Sequence, residues 1–504
     1  MQRGVKIAST VMAGCLAAVG TAAGVARADS LDEAVALAYQ TNPTLQNARA
    51  QLRGLDEEYV QARAGYRPQV QVSAEADDIK GPSTDQLEVK PASASISLVQ
   101  PLYTGGLVSA DVRATVGDIE SGRAKLRQVE EDVLEQVIQV YVDVRRDLQG
   151  LKIAEDNVQV LRHQKEETDA KFAVGEVTRT DVAQAQARLA GAQAQQSTAQ
   201  AQLALSRANY VTVVGQSPGD LQPEPALDGL PGTVDDALSM ANRDNPTVLA
   251  ADYAEQAAAA RVAVAKAAYR PTVSLRATYG VSGYYGSQLG IFPPEVKNVY
   301  QNSYEVSAVA TEPLFAGGAN ASRIREALEG DNAARINVES ARRQALQSVS
   351  QAWNQLAAAR ANVTSDEEQV KADQVAYEGV KEEAKVGLRD TLDILNAEQE
   401  LQAAELAMVS ARHDEYVASA LVLDAMGRLE VKALSPTTPA YNPVANFRKV
   451  MNKGGLPWDP VVAGIDSLGA PKIQRPAIPG PDEPMTPAHA AGLRGVVDSE
   501  DYAH

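Results

Sequence analysis

Two short segments carry charged residues whose spacing could do chemistry. Val174-Gly175-Glu176-Val177-Thr178 leads to Asp181, and roughly 200 residues on Val386-Gly387-Leu388-Arg389-Asp390 leads to Asp393. The chemistry open to Asp181, Arg389 and Asp393 is ion pairing; the plainer alternative is that these charges solvate a helix turn and cap its start. Asn396 stands one helical turn beyond Asp393 and is neutral. His163, His413, His489 and His504 have no metal-ligand spacing, and the last two lie in a tail. Gly317-Gly318-Ala319-Asn320 before a helix could suggest a phosphate cradle. It lacks the lysine of a phosphate loop and has a twin in Gly105-Gly106, so both pairs read as strand-to-helix joints. No catalytic set, metal or cofactor is expected.

These segments belong to a chain that says nearly the same thing twice. Leu31-Asp32-Glu33-Ala34 through Asn42-Pro43-Thr44 is echoed by Val234-Asp235-Asp236-Ala237 through Asn245-Pro246-Thr247. Tyr66-Arg67-Pro68 returns as Tyr269-Arg270-Pro271, and Gln100-Pro101-Leu102-Tyr103 as Glu312-Pro313-Leu314-Phe315. Such order at near-constant spacing is the mark of a duplication, with each half folding into a similar unit. The expected organisation is a leader over 1–28, repeats over 29–230 and 231–430, and a proline-rich tail over 431–504.

Arg3 and Lys6, the apolar run Ile7 to Val25 and Ala26-Arg27-Ala28 have the form of a secretory signal. A retained membrane anchor and lipidation at Cys15, after Ala13-Gly14, are the alternatives; against the second, Met12 stands where leucine is usual and an apolar run follows. Cleavage after Ala28 would remove the only cysteine and with it any thiol chemistry. A net charge of -18 argues against nucleic acid as partner. Aromatic residues make up only 5 %, which suits elongated helices meeting through Ala, Val and Leu.

Within each repeat the hydrophobic period changes in order. Leu31 to about Tyr66 reads as a helix capped by Ser30 and interrupted at Asn42-Pro43. After Pro68, Val70, Val72, Ala74 and Ala76 alternate with polar residues, giving strands near 69–79 and 93–103 around a loop at Gly81-Pro82-Ser83. The second half places strands near 272–283 and 303–315. Strands of about ten residues, tilted, have the length that crosses an outer membrane. Long proline-free stretches follow, Leu102 to Ser217 and Leu314 to Ser435. As helix, the first part of such a stretch would run roughly 100 Å. Leu126, Val129, Val133, Val137, Val140, Val144, Leu148 and Leu151 step by 3,4,4, the rhythm of nearly straight packing, and Leu134, Ile138 and Tyr141 add a second seam. From Leu151 through Ala154, Val158 and Leu161 the step becomes 3,4,3, the coiled-coil heptad. The tail holds eleven of the 25 prolines and reads as a strap lying on the body, then a disordered end.

Four strands cannot close a barrel in lipid, so several chains must each contribute. Duplicated strand-strand-long helix-turn-helix units behind a signal sequence resemble the TolC family of outer-membrane channel-tunnels. The likeness covers about Leu31 to Leu429 and is carried by Pro-Leu-Tyr/Phe-x-Gly-Gly and Val-Gly-x-x-x-x-x-Asp-Val/Ile. It implies a mainly α fold with a small β part: a homotrimer with a twelve-stranded β-barrel in the outer membrane and a long α-helical barrel in the periplasm. It implies a hairpin tip near 174–181 and another near 386–393, closing an aperture where Arg389 pairs with Asp181, and Asp393 lines the constriction. The second acidic position of some members is Asn396 here. Val174, Gly175, Val386 and Gly387 would then meet a periplasmic adaptor protein, which links to an inner-membrane ABC or proton-driven transporter. The implied role is a passive exit duct for protein cargo by type I secretion. Multidrug efflux is the rival with the same fold, and a soluble periplasmic coiled-coil scaffold is the rival of another class.

Overall fold

A computed structural model describes residues 30–80, 88–285 and 300–471. The signal sequence, the Gly81-Pro82-Ser83 loop, His489, His504 and the last part of the tail lie outside the described residues. The two halves run through the same series. Helices α1 (Leu31–Thr41) and α2 (Pro43–Ala64) precede strand β1 (Gln69–Ala76), the short β2 (Ile79–Lys80) and β3 (Glu88–Val89), and β4 (Pro91–Tyr103). The long α3 (Leu107–Ala173) and α4 (Arg179–Val214) complete the first half. The second half comprises α5 (Val234–Asp244), α6 (Pro246–Ala267), β5 (Thr272–Tyr284), β6 (Tyr300–Thr311), α7 (Ala319–Lys385) and α8 (Thr391–Ala425). The series ends with α9 (Val431–Leu434), α10 (Val444–Val450) and α11 (Asp459–Leu468). Helices α3 and α7 have 67 residues each, which makes each roughly 100 Å long. No helix among the described residues is long and apolar enough to cross a membrane.

Local chemistry accounts for the helix boundaries. Ser30 closes a capping box with Glu33 at the start of α1. Asn42 ends α1, and its Oδ1 accepts from the backbone of Thr44 at 2.9 Å, starting α2 with Pro43 where a missing N–H costs nothing. Asn245 and Pro246 repeat the device before α6.

Packing groups the chain differently from the sequence repeat, because each compact unit takes segments from both halves. One unit holds Met1–Gln46, Glu130–Ala237 and Val349–Ala440. In it the second seam of α3 is buried, with Leu134 and Ile138 each 1 % exposed and Tyr141 fully covered. Its core near one end is Val158, Leu161, Ala192 and Leu395. His413 joins α8 to α3, with Nε2 2.8 Å from Asp143 and Nδ1 2.8 Å from Asp414. Burial lowers the affinity of this ring for its second proton, but the two carboxylates outweigh it and raise the pKa.

The other unit holds Asn47–Val129, Leu238–Ser348 and Tyr441–His504. Its sheet is antiparallel in the order β1-β4-β5-β6, with Ser73 opposite Ser95, Ile96 opposite Tyr279 and Tyr279 opposite Tyr304. The outer strands expose apolar side chains along their length: Val72 is 73 % exposed on β1, Tyr304 87 % and Val306 69 % on β6. The strands run slightly differently from the sequence expectation. β1 stops at Ala76 and β6 at Thr311, where Pro313 ends the pairing.

The described part of the tail, to residue 471, packs on the body through α9, α10 and α11. Phe447 of α10 packs edge-on against Tyr59 with ring centroids 5.0 Å apart, and the Arg123 guanidinium lies 5.3 Å from the Phe447 ring. Asn446 donates to Asp56 at 2.8 Å. On α11, Asp459 pairs with Arg67 at 3.2 Å, and Val462 packs with Tyr66 and Val108. The fully buried Asp466 accepts from Thr104 N and Oγ1 at 2.8 and 2.7 Å, Gly106 N at 3.0 Å, and Ser109 N and Oγ at 3.1 and 2.9 Å. The Gly105-Gly106 joint supplies this geometry. Gly106 has φ +83°, and the position of a Cβ there lies 2.5 Å from the Ala470 backbone.

Burial alone would raise the pKa of Asp466, but the donors of Thr104, Gly106 and Ser109 outweigh it and hold the carboxyl below the usual 3.8. Its stabilisation is therefore complete above that value and is lost as pH falls through the depressed folded value. Asp466→Ala should cost about 3 kcal/mol or more of strap docking. Hydrogen exchange over 459–468 is the readout: a selective loss of protection there, with the α10 contacts retained, is the expected result.

Candidate functional site at the hairpin tips

Both tips are built by the same backbone device. The Gly175 N–H donates to the Phe172 carbonyl at 3.0 Å and the Glu176 N–H to Lys171 at 3.0 Å. In the second tip Gly387 donates to Ala384 at 3.1 Å and Leu388 to Glu383 at 3.0 Å. These paired bonds define a Schellman stop, which needs a left-handed residue; Gly175 has φ +83° and Gly387 φ +78°. The residue before each glycine points out, with Val174 71 % and Val386 72 % exposed, and Leu388 adds a third apolar side chain at 74 %. Exposed valines beside a rigid turn form a small apolar knob on each hairpin.

Within a single chain each charged tip residue makes contacts close to its own turn. Asp181 closes a capping box at the start of α4, accepting from Thr178 N at 2.7 Å and Thr178 Oγ1 at 2.8 Å. Those bonds, the backbone one foremost, hold its carboxyl below the usual range. Arg389 instead pairs within its own tip, with Glu383 at 2.9 Å and Asp393 at 3.8 Å. Within one chain, then, Arg389 and Asp393 come together. Asp390 caps α8 by accepting from the Asp393 N–H at 2.9 Å. Asn396 accepts from Arg188 of α4 at 3.1 Å, and Arg188 also donates to Gln399. Asn396 thus ties the two hairpins together at a place where an acidic ring was in question. The remaining joint glycines, Gly317 and Gly318, have open space where a Cβ would go.

Beneath the tips, α3, α4 and α8 enclose a cavity of about 410 Å³ lined by Asn157, Gln184, Arg188, Leu395, Glu398 and Gln402 among others. Glu398 is 7 % exposed, and neither carboxyl oxygen has a hydrogen-bond partner. Burial pushes its pKa up to about 7 against the pull of Lys381. Sequence reasoning missed this group, although it was findable. Leu395, Glu398 and Leu401 fall on one face of α8, so a carboxylate interrupts an apolar stripe. The partners of Arg188 and Arg389 gave no comparable signal, since both helix faces are polar there.

A raised carboxyl favours the folded state most below its unfolded value of 4.5, and that advantage disappears as pH rises through about 7. Glu398→Gln should therefore match the parent near pH 4 and exceed it near pH 8, by on the order of 3 kcal/mol. Thermal melts at the two pH values check this; an equal shift at both would reject the assignment.

Comparison with known proteins agrees with the duplicated architecture. The family model described as "Outer membrane efflux protein" matches twice, over residues 34–216 and 237–428. Outer membrane efflux protein BepC of Brucella suis biovar 1 is 33 % identical over 429 residues, covering 85 % of this chain and 92 % of that protein. Alkaline protease secretion protein AprF of Pseudomonas aeruginosa is 25 % identical over 340 residues, covering 64 % of this chain and 66 % of that one. Among solved structures, the Campylobacter jejuni CmeC outer membrane channel superposes with a TM-score of 0.69 at 15 % identity, covering 84 % of this chain and 89 % of that one.

Proposed function

The chain belongs to the outer membrane efflux protein family, and from that premise we propose that three copies form a passive exit duct serving type I protein secretion. It is an outer-membrane protein whose helical part lies in the periplasm. The observation that carries the trimer is the open sheet. Strands β1 and β6 each leave one edge unpaired, which lipid does not tolerate, and β6 of one copy beside β1 of the next restores alternating strand direction. Three copies give twelve strands. Energy must come from elsewhere, through an inner-membrane transporter of the ABC or proton-driven kind and a periplasmic adaptor docking on the Val174 and Val386 knobs.

Secretion of protein cargo is supported by the likeness to AprF and by the repeat pattern with its proline-rich tail. The reading with a specific observation in its favour besides this is small-molecule efflux, since BepC is named an efflux protein. A clean deletion separates them: loss of one or a few proteins from the culture medium, restored by complementation, supports secretion. An unchanged medium with new sensitivity to drugs or detergents supports efflux.

The tip charges are proposed to set the resting aperture. Arg389 holds Glu383 and Asp393 in place. In a threefold ring, removing it leaves acidic groups of neighbouring copies facing one another, and like charges repel. Arg389→Ser should raise single-channel conductance in a planar bilayer by about twofold or more. An assembled trimer of this variant with parental conductance would remove Arg389 from the gate.

A further inference from the structure

The duplication makes the two strand-to-helix joints directly comparable, and they differ in one respect. At the first joint Tyr103, Thr104 and Ser109 lie under α11, whose Asp466 binds Thr104 and Ser109. At the second joint the matching residues are Phe315, Ala316 and Ala321, so the two side-chain hydroxyls that hold the strap are missing. Among the described residues nothing covers this joint: Leu314 is 89 % and Phe315 88 % exposed. Meanwhile α11 buries only one side. Asp459, Val462 and Asp466 face inward, whereas Trp458, Val461, Ile465 and Leu468, spaced 3,4,3, form an exposed apolar stripe at 47, 62, 47 and 89 %.

We propose that the outer face of α11 in one copy covers the Leu314-Phe315 joint of the adjacent copy, forming a clasp around the base of the barrel. The inference rests on the trimeric reading above. In the sheet order β1-β4-β5-β6, Leu314 and Phe315 follow the lower end of β6, and the strand added beyond β6 is β1 of the next copy. The lower end of β1 is where α11 sits, because Arg67, just before β1, binds Asp459 at the start of that helix. The far end of α11 is anchored at Thr104, after β4. Closing the sheet thus brings the Trp458–Val461 end of the stripe, rather than the Leu468 end, toward the bare joint of the neighbour. Two exposed apolar surfaces that are orphaned within one chain become each other's partners, continuous with the strand pairing that closes the barrel.

The test uses the full-length protein in detergent, with Cys15→Ala in every variant and a short bis-maleimide as probe. Native mass is measured first. Phe315→Cys with Val461→Cys in one chain should convert a native trimer into covalent dimers and trimers on a denaturing gel. Either single variant should give none, and Phe315→Cys with Leu468→Cys should give about fivefold less or lower. A native trimer without inter-chain linkage at Val461 overturns the clasp while leaving the trimer standing. A monomeric mass overturns the trimer and the clasp with it. If the trimer assembles unlinked in nanodiscs and spin-labelled lipid quenches a fluorophore at both positions, the patch faces lipid and the proposal fails.

Discussion

The constraint on which the rest of this molecule depends is that a sheet in lipid cannot leave backbone donors and acceptors unpaired. Each missing partner costs several kcal/mol where no water can replace it. One copy of the chain supplies two strand pairs and two free edges, with Val72, Tyr304 and Val306 exposed on them. A single copy therefore has no stable place in a membrane, and assembly follows from hydrogen bonding before any specific interface contact is considered. The same constraint fits the exposed Val and Tyr side chains along both edge strands.

Duplication is the economical way to meet that constraint with long helices attached. The two halves reproduce helix lengths almost residue for residue, 67 and 67 for α3 and α7, 36 and 35 for α4 and α8. Matched lengths put the two hairpin turns at corresponding positions in their repeats, each closed by its own glycine stop. Two of the differences between the halves fall at the joints and the tips. The first joint keeps Thr104 and Ser109 to receive the strap, and the second has alanine at both positions. The first tip is capped by Thr178 and Asp181, and the second carries Arg389 among Glu383, Asp390 and Asp393.

The charges along α8 differ in burial with distance from the tip. Near the tip, exposed ion pairs such as Arg389 with Glu383 contribute little to folding and are free to rearrange. A turn or two further on, Glu398 sits unpartnered in the helical seam, a cost that rises with pH. Further still, His413 is clamped between Asp143 and Asp414 and fastens α8 to α3.

The sequence by itself determined what is local. The repeat, the period change from helix to strand, the Ser30 capping box, the Asn-Pro breaks and the glycine turns all follow from residues within a few positions of one another. What only the tertiary structure decided are pairings between distant residues: Asp466 with Thr104, 362 positions away, Asn396 with Arg188, and Glu398 facing a cavity shared by three helices. Arg389 shows the boundary well. Its turn was legible, but its partners within the chain, Glu383 and Asp393, were not, because several carboxylates stand close to it in sequence. Composition cannot rank equal charges; the direction in which each helix leaves the turn does.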